Sequence, residues 1–289
     1  MRAAQTAILP PIGGKGGTAL NLGINTYTYM WSIGFKGAAP QRPLTAIGLL
    51  EKARELDVKV VQVGPNLPLD RLSDAELEQF VLQAGDWGIE LELGTRGIEE
   101  PHLRAQVDLA RRIGATLLRT IPEVAGQTPD VTAIPGLLRP VLPVLEAAGV
   151  RLGLENGKIP AVELRDVMAQ VASPYVGVIL DTVNSLAVPE GWRHVTETLA
   201  PYANCLHLKE FIVQRAWHMM GFTVEGRPAG KGQLDVPWLL ETLRAGGAPR
   251  YNVILELWPP EQKALEDTIA LEHAWAVESI GYLRQYIKD

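Results

Sequence analysis

Short apolar runs recur along the chain and are separated by longer stretches of mixed polarity. Eight of these runs are five to seven residues long and rich in Val, Ile and Leu. Continuous apolar runs of this length are typical of strands that are buried on both faces of a parallel sheet. The predicted strands cover residues 20–26, 58–63, 89–93, 116–121, 151–155, 176–181, 204–208 and 252–257.

Between the strands, apolar residues recur at helical spacing. Six clear helices are predicted at 43–56, 74–87, 100–113, 162–171, 236–245 and 261–286. A seventh stretch, 130–148, contains Pro135, Pro140 and Pro143, and proline interrupts a helix. Strands that alternate with helices pair in parallel through right-handed crossovers, so eight such units predict an α/β fold, a single (β/α)8 TIM barrel.

The sequence after the first strand argues against an open nucleotide-binding sheet. It reads NTYTYMWSIGF and lacks the G-x-G-x-x-G turn that such sheets carry at this point. A single barrel needs roughly 250 residues, which nearly uses the 289 available. Residues 1–17, rich in Gly and Pro, are predicted to be a flexible leader, and 18–289 to form one barrel domain.

Composition and charge indicate which binding partners and which cellular location the protein is expected to have. The chain has 27 Lys and Arg against 33 Asp and Glu, a formal net charge of −6. An acidic balance disfavours a nucleic-acid-binding surface, which is usually basic. No apolar run reaches the roughly 20 residues of a membrane-spanning helix, and the leader lacks the long apolar core of a signal peptide. Cys205 has no second cysteine to pair with, which favours a cytoplasmic protein.

Polar residues end the last four predicted strands. They are Glu155, Asp181, His207 and Glu256. The carboxyl ends of barrel strands are where chemistry takes place in this fold. Three carboxylates in a pocket of low dielectric cannot all stay ionised without a compensating cation. The set therefore predicts one divalent metal ion, and its mainly oxygen ligands suit Mn²⁺, Mg²⁺ or Co²⁺ better than Zn²⁺.

Each of these residues also has a structural explanation on its own. A carboxylate after a strand often caps the next helix, and a single buried histidine needs only one hydrogen bond. Four of them on consecutive strands are harder to explain as structural residues, because burying uncompensated charge costs several kcal/mol per ion. The metal site is therefore the favoured interpretation.

Five segments resemble the sugar phosphate isomerase/epimerase family of the xylose isomerase-like TIM-barrel superfamily. They are LGLEN at 152–156, VILDTVN at 178–184, CLHLKE at 205–210, VILEL at 253–257 and GRPAGKGQLDVPWLLETLRAGG at 226–247. The resemblance covers roughly residues 20–285. Within the family, the chain is similar to enzymes of the D-tagatose 3-epimerase type. It implies that all four polar residues bind one metal, with Mn²⁺ the first expectation, and that Glu155 and Glu256 are the acid/base pair.

The chain departs from those epimerases at one position. They carry a substrate-binding histidine three residues after the strand-six aspartate, where this sequence has Asn184. Asn184 can hydrogen-bond a substrate hydroxyl but cannot titrate. Lys158, Lys209 and Arg119 are further candidates for substrate binding, through an anionic group, although rim lysines are often only solvated.

Two segments near the predicted mouth are rich in aromatic residues, 27–42 and 210–234. Tyr27 and Trp31 in the first segment are predicted to stack on a sugar. Both segments could equally form an interface between copies of the chain, so a homo-oligomer is an alternative.

These features favour a metal-dependent isomerase or epimerase that moves a proton beside the carbonyl of a sugar or sugar derivative, through an enediolate. A dehydratase of a keto-sugar or inosose, or another lyase with the same site, is the alternative. A nuclease resembling endonuclease IV is less favoured, because it needs several histidine ligands and the chain has five histidines, one of them at a predicted ligand position. A non-catalytic sugar-binding barrel is the remaining alternative.

Overall fold

Eight parallel strands close into a barrel, as the sequence predicts. The computed structural model describes residues 20–247 and 251–288, so the predicted leader at 1–17 lies outside the described residues. The barrel strands are β1 (Leu22–Asn25), β2 (Val60–Val63), β3 (Glu90–Arg96), β4 (Leu117–Ile121), β5 (Arg151–Glu155), β6 (Val176–Asp181), β7 (Ala203–Leu208) and β10 (Asn252–Leu255). Strands β1 to β7 pair in sequence order, β7 also pairs with β10, and β10 pairs with β1 to close the barrel.

Helices surround the strands. They are α1 (Met30–Ile33), α2 (Ala46–Glu55), α3 (Asp74–Asp86), α4 (Glu100–Arg112), α5 (Ile134–Leu138), α6 (Leu142–Ala148), α7 (Ala161–Val171), α8 (Trp192–Leu199), α9 (Val236–Ala245) and α10 (Leu265–Leu283). All of these helices except α1 and α8 lie in the predicted helical stretches. Local sequence explains their limits. At α3, for example, Ser73 accepts a hydrogen bond from the Glu76 amide while the Glu76 carboxylate accepts one from the Ser73 amide, a complete capping box.

The proline-rich stretch forms α5 and α6, joined by a short 3-10 turn, instead of one continuous helix. By length and composition alone, the stretch Val131–Ala148 could cross a membrane. In the structure its apolar side chains Ile134, Leu138, Val141 and Leu145 are buried in the main hydrophobic core. Packing against the barrel therefore accounts for its apolar character.

The barrel interior has a floor of small and apolar side chains below the polar strand ends. Val60, Leu117, Ile179, Cys205 and Ile254 form a separate buried cluster inside the barrel. Side chains alternate faces along a strand, so Ile179, Cys205 and Ile254 share the inner face with Asp181, His207 and Glu256 two residues later. The floor closes the barrel below these three polar residues.

The segment 210–234, predicted as a loop, contains an antiparallel hairpin. Its strands are β8 (Glu210–Arg215) and β9 (Phe222–Arg227), which pair along their full length. The hairpin tip is strongly apolar, and Trp217 is 93% and Met220 87% exposed. The strands were missed because their side chains do not follow the buried, all-apolar pattern of the barrel strands.

Replacing Gly153 by alanine is expected to destabilise the protein by about 1–3 kcal/mol, because the barrel floor has no room for the added carbon. A Cβ there would lie 2.7 Å from Ile179 Cγ1 and 2.8 Å from Asn204 Oδ1. Urea unfolding should show the loss. Gly136→Ala, in helix α5 with no atom within 4 Å of the added carbon, is the control and should be neutral or stabilising. Equal stability of both variants would contradict the packed floor.

Candidate active site

Three of the predicted polar residues converge at the carboxyl end of the barrel. Glu155 ends β5, Asp181 ends β6 and His207 lies near the end of β7, with Asp181 and His207 in register on adjacent strands. All three are buried, and one ligand atom from each lies within 4.8 Å of the others. Parallel pairing forces this convergence, because the ends of neighbouring strands meet at one edge of the sheet.

Glu256 adjoins this group from the first residue after β10. Its Oε1 lies 3.1 Å from His207 Nδ1, and Glu155 Oε2 lies 3.5 Å from the same nitrogen. The two glutamates predicted as an acid/base pair therefore flank one imidazole nitrogen. Glu256 is as deeply buried as the other three residues.

Two cationic side chains lie among these carboxylates. Lys209 Nζ is 2.7 Å from Asp181 Oδ2 and 2.6 Å from Glu256 Oε2. Arg119, on β4, forms a close ion pair with Glu155 and also donates to the Thr95 carbonyl at 3.2 Å. The sequence suggested both residues for substrate binding, and the structure places both against the carboxylates of the proposed metal site.

The carboxylates differ in how far these cations compensate their burial. Burial raises the pKa of Asp181, and Lys209 offsets this only in part. For Glu155, burial acts in the same direction, but Arg119 and His207 outweigh it and lower the pKa to about 2. Lys209 and His207 likewise hold the pKa of Glu256 well below its ordinary value. Both glutamates are therefore ionised at neutral pH.

The donor set fits a divalent cation. Asp181 Oδ2 and both ring nitrogens of His207 are buried and have no hydrogen-bond partner among residues 20–247 and 251–288, although Asp181 Oδ2 forms the ion pair with Lys209. A buried polar atom without a hydrogen bond is rare and costly. Two carboxylates and one imidazole whose ligand atoms lie this close together provide mixed oxygen and nitrogen ligands, which suit Mn²⁺, Mg²⁺, Co²⁺ or Zn²⁺.

Asn184 and Tyr27 also lie beside the converging groups. Asn184 Nδ2 donates to Glu155 Oε1 at 2.6 Å, and Asn184 Oδ1 accepts from Lys209 Nζ at 3.3 Å. Burial raises the pKa of the Tyr27 hydroxyl, and the charges of Arg119 and the two glutamates also act on it. Its hydroxyl therefore lies within electrostatic range of the same cluster.

Lys158 and Trp31 lie further out. Lys158 is 61% exposed and pairs with Glu123 at 3.2 Å on the rim. Trp31 is nearly buried in helix α1 and packs edge-on against Phe35. The buried carboxylate of Glu272, on α10, accepts hydrogen bonds from the Trp31 amide at 2.8 Å and from the Ser32 amide and hydroxyl at 3.1 and 2.7 Å. That carboxylate fixes the start of the segment that carries Trp31.

Sequence reasoning missed Asn25. Its Nδ2 donates to Glu256 Oε1 at 2.5 Å, and its Oδ1 accepts from the Tyr27 and Thr28 amides at 2.9 and 3.0 Å. Asn25 thus orients Glu256 and the turn after β1 together. A signal was present, because Asn25 ends β1 as Glu155 ends β5, but the prediction took only charged residues and histidine from the strand ends.

Stability should depend on pH through Glu272. Burial raises the pKa of Glu272 to about 7, so its ionisation opposes folding. The free energy of unfolding of the wild type should fall by about 3 kcal/mol relative to Glu272→Gln as pH rises from about 4.5 through 7. Urea unfolding of both proteins across this range measures the difference. A constant difference between the two would show that Glu272 does not titrate there.

Comparison with known proteins shows the family of the chain. The family model of the xylose isomerase-like TIM barrel matches residues 50–286. The 3-oxo-isoapionate decarboxylase of Pectobacterium atrosepticum is 36% identical over 265 residues, which are 91% of this chain and 94% of that protein.

Two solved structures share the fold. D-psicose 3-epimerase from Clostridium cellulolyticum H10, solved with D-tagatose, has a TM-score of 0.69 at 17% identity and covers 93% of this chain and 100% of its own. A xylose isomerase-like TIM barrel protein from Mycobacterium smegmatis, in complex with magnesium, has a TM-score of 0.67 at 16% identity. The match covers 91% of this chain and 97% of that protein. The barrel and the family match together confirm the resemblance found in the sequence: the chain belongs to the xylose isomerase-like TIM barrel family.

Proposed function

We propose that the protein is a metal-dependent enzyme that removes CO₂ from a 3-oxo sugar acid through an enolate. The observation that carries this proposal is the presence of Lys209 and Arg119 among the converging carboxylates. Two cations in the pocket favour an anionic substrate and an anionic intermediate. The 36% identical relative, a decarboxylase of a 3-oxo acid, supports the same reaction class.

The proposed metal site consists of Glu155, Asp181, His207 and Glu256, with Mn²⁺ as the first expectation and Mg²⁺, Co²⁺ or Zn²⁺ as alternatives. The first three already have ligand atoms close together, and Glu256 adjoins them. A bound divalent ion would supply a Lewis acid that polarises a substrate carbonyl.

The reaction breaks the bond between the carboxylate carbon and the carbon next to the carbonyl. The electron pair of that bond forms the enolate, CO₂ leaves, and the same carbon then takes up one proton. Glu155 and Glu256 rest in the ionised form, so either can accept a proton from a substrate hydroxyl or from water and return it to that carbon.

The remaining predicted residues have distinct proposed roles. Lys209 and Arg119 attract the substrate carboxylate, and Asn184 hydrogen-bonds a hydroxyl. Tyr27 and Trp31 shape the face of the pocket that the sugar carbons contact, and Lys158 adds positive charge at the rim.

Isomerisation or epimerisation of a keto-sugar is the second candidate function. The observation that favours it is that two ionised glutamates, Glu155 and Glu256, lie at 3.5 and 3.1 Å from the same nitrogen, His207 Nδ1. Two bases in that arrangement can remove a proton from one face of a carbon and return it from the other. Both reactions pass through the same enolate, and they differ in which bond breaks first.

A cytoplasmic location and a homo-oligomer remain predictions. The proposed partner is a small carbohydrate substrate, and binding to nucleic acid or to a membrane is not expected. The exposed apolar tip of the β8–β9 hairpin is the surface that an oligomer would most readily bury. Sedimentation analysis would decide the oligomeric state.

Incubation with 3-oxo-isoapionate and Mn²⁺ should release CO₂, and Glu256→Gln should lower kcat by about 100-fold or more, because an acid/base group is lost. Glu100→Gln, a surface ion-pair variant, is the control and should match the wild type. CO₂ release and proton NMR in D₂O measure the reaction. Deuterium exchange or epimer formation without CO₂ would favour the second candidate instead.

Asp181→Asn should contain much less metal than the wild type after purification and dialysis, because one charged ligand is lost. Asp74→Asn, which removes a surface carboxylate that pairs with Arg112, is the matched control. Elemental analysis of the three proteins measures the content. Equal content in all three would refute the proposed site.

A further inference from the structure

Lys209 contacts the two carboxylates at one edge of the proposed metal site. Lys209 is the first residue after β7 and lies on the same face as His207, two residues earlier. Its Nζ lies 2.7 Å from Asp181 Oδ2 and 2.6 Å from Glu256 Oε2. We propose that Lys209 is a built-in counter-cation that competes with the divalent metal for Asp181 and Glu256. Metal binding then requires its ammonium group to leave these carboxylates. The inference rests on the proposed metal site.

The competition follows from distance and charge. Divalent ions bind carboxylate oxygens at about 2.0–2.6 Å, and the ammonium group already occupies the same oxygens at nearly that distance. An ammonium group and a divalent ion on the same two carboxylates would repel each other strongly in this low-dielectric pocket. Both cations therefore cannot keep these contacts at the same time.

The net charge of the site differs between the state in which Lys209 contacts the carboxylates and the state in which it has withdrawn. With the His207 ring neutral, as a metal ligand must be, Glu155, Asp181 and Glu256 carry three negative charges and Arg119 and Lys209 two positive charges, which leaves a difference of −1. Once Lys209 withdraws, the difference becomes −2, which matches one divalent ion. Lys209 therefore stabilises the same carboxylates that a metal ion would bind, at the expense of metal affinity.

Lys209 is the cation that can move. Arg119 is buried, and its guanidinium is fixed by Glu155 and by the Thr95 carbonyl. Lys209 is 18% exposed and also reaches Asn184 Oδ1 at 3.3 Å, beside the mouth. Rotation of its flexible stem moves the ammonium group outward, where it faces an incoming substrate carboxylate.

Lys158 offers a matched control. It carries the same charge on the same rim, but its ammonium group pairs with Glu123 and not with the proposed ligands. Removing Lys158 therefore changes the net charge by the same amount without changing the direct competition.

Calorimetric titration of metal-free protein with MnCl₂ tests the proposal. Lys209→Met and Lys209→Gln should bind Mn²⁺ about tenfold or more tightly than the wild type, because the competing charge is gone. Lys158→Met should stay within about twofold, since an exposed charge is screened by solvent and salt. The Gln variant keeps a hydrogen-bonding group for Asp181 and Glu256 in case the Met variant folds poorly.

Unchanged or weaker Mn²⁺ binding in both Lys209 variants would overturn the proposal, as would equal tightening in Lys158→Met. Absence of Mn²⁺ binding in every protein would overturn it too. None of these results depends on substrate turnover, so the CO₂ assay tests the proposed reaction separately.

Discussion

Three buried carboxylates at one end of the barrel must have their charge compensated, and the architecture of the mouth depends on this requirement. An uncompensated buried ion costs several kcal/mol. The fold meets the requirement by bringing Arg119 on β4 and Lys209 just after β7 into contact with the carboxylates that end β5 and β6 and with the one that follows β10. Only a closed ring of parallel strands brings these five positions together, because they are spread over more than 130 residues of sequence. The neutral amides of Asn25 and Asn184 then fix the glutamate oxygens that the cations leave free.

Much of this arrangement could be predicted from the sequence, since strand periodicity and the order of elements determine which residues reach the mouth. Glu155, Asp181 and His207 were found because each interrupts an apolar run at its carboxyl end. The contacts of Lys209 could not be found in this way. Its position two residues after His207 indicates the face on which it lies, but its choice between substrate and carboxylates depends on the rotamer of a flexible side chain. Asn25 was missed for a simpler reason, because a neutral side chain gives no charge signal at a strand end.

The hairpin β8–β9 shows the limit of periodicity in another way. Barrel strands are recognised by continuous apolar runs, since both of their faces are buried. The hairpin strands are mostly exposed or half-buried and mix charged with apolar residues, so their pattern resembles a loop. The broken helix at 130–148 was easier to predict, because proline acts on its own backbone and needs no tertiary contact to do so. Local constraints are therefore visible in the sequence, whereas contacts made by distant partners are visible only in the fold.

The contact between Trp31 and Glu272 has a consequence for the order of assembly. The two residues are 241 positions apart, so the segment after β1 obtains its anchor only when helix α10 docks. Contacts of such long sequence separation form slowly, because a large loop must close first. During synthesis the last barrel helix leaves the ribosome after all the strands. The segment that carries Trp31 should thus be among the last parts of the protein to become ordered.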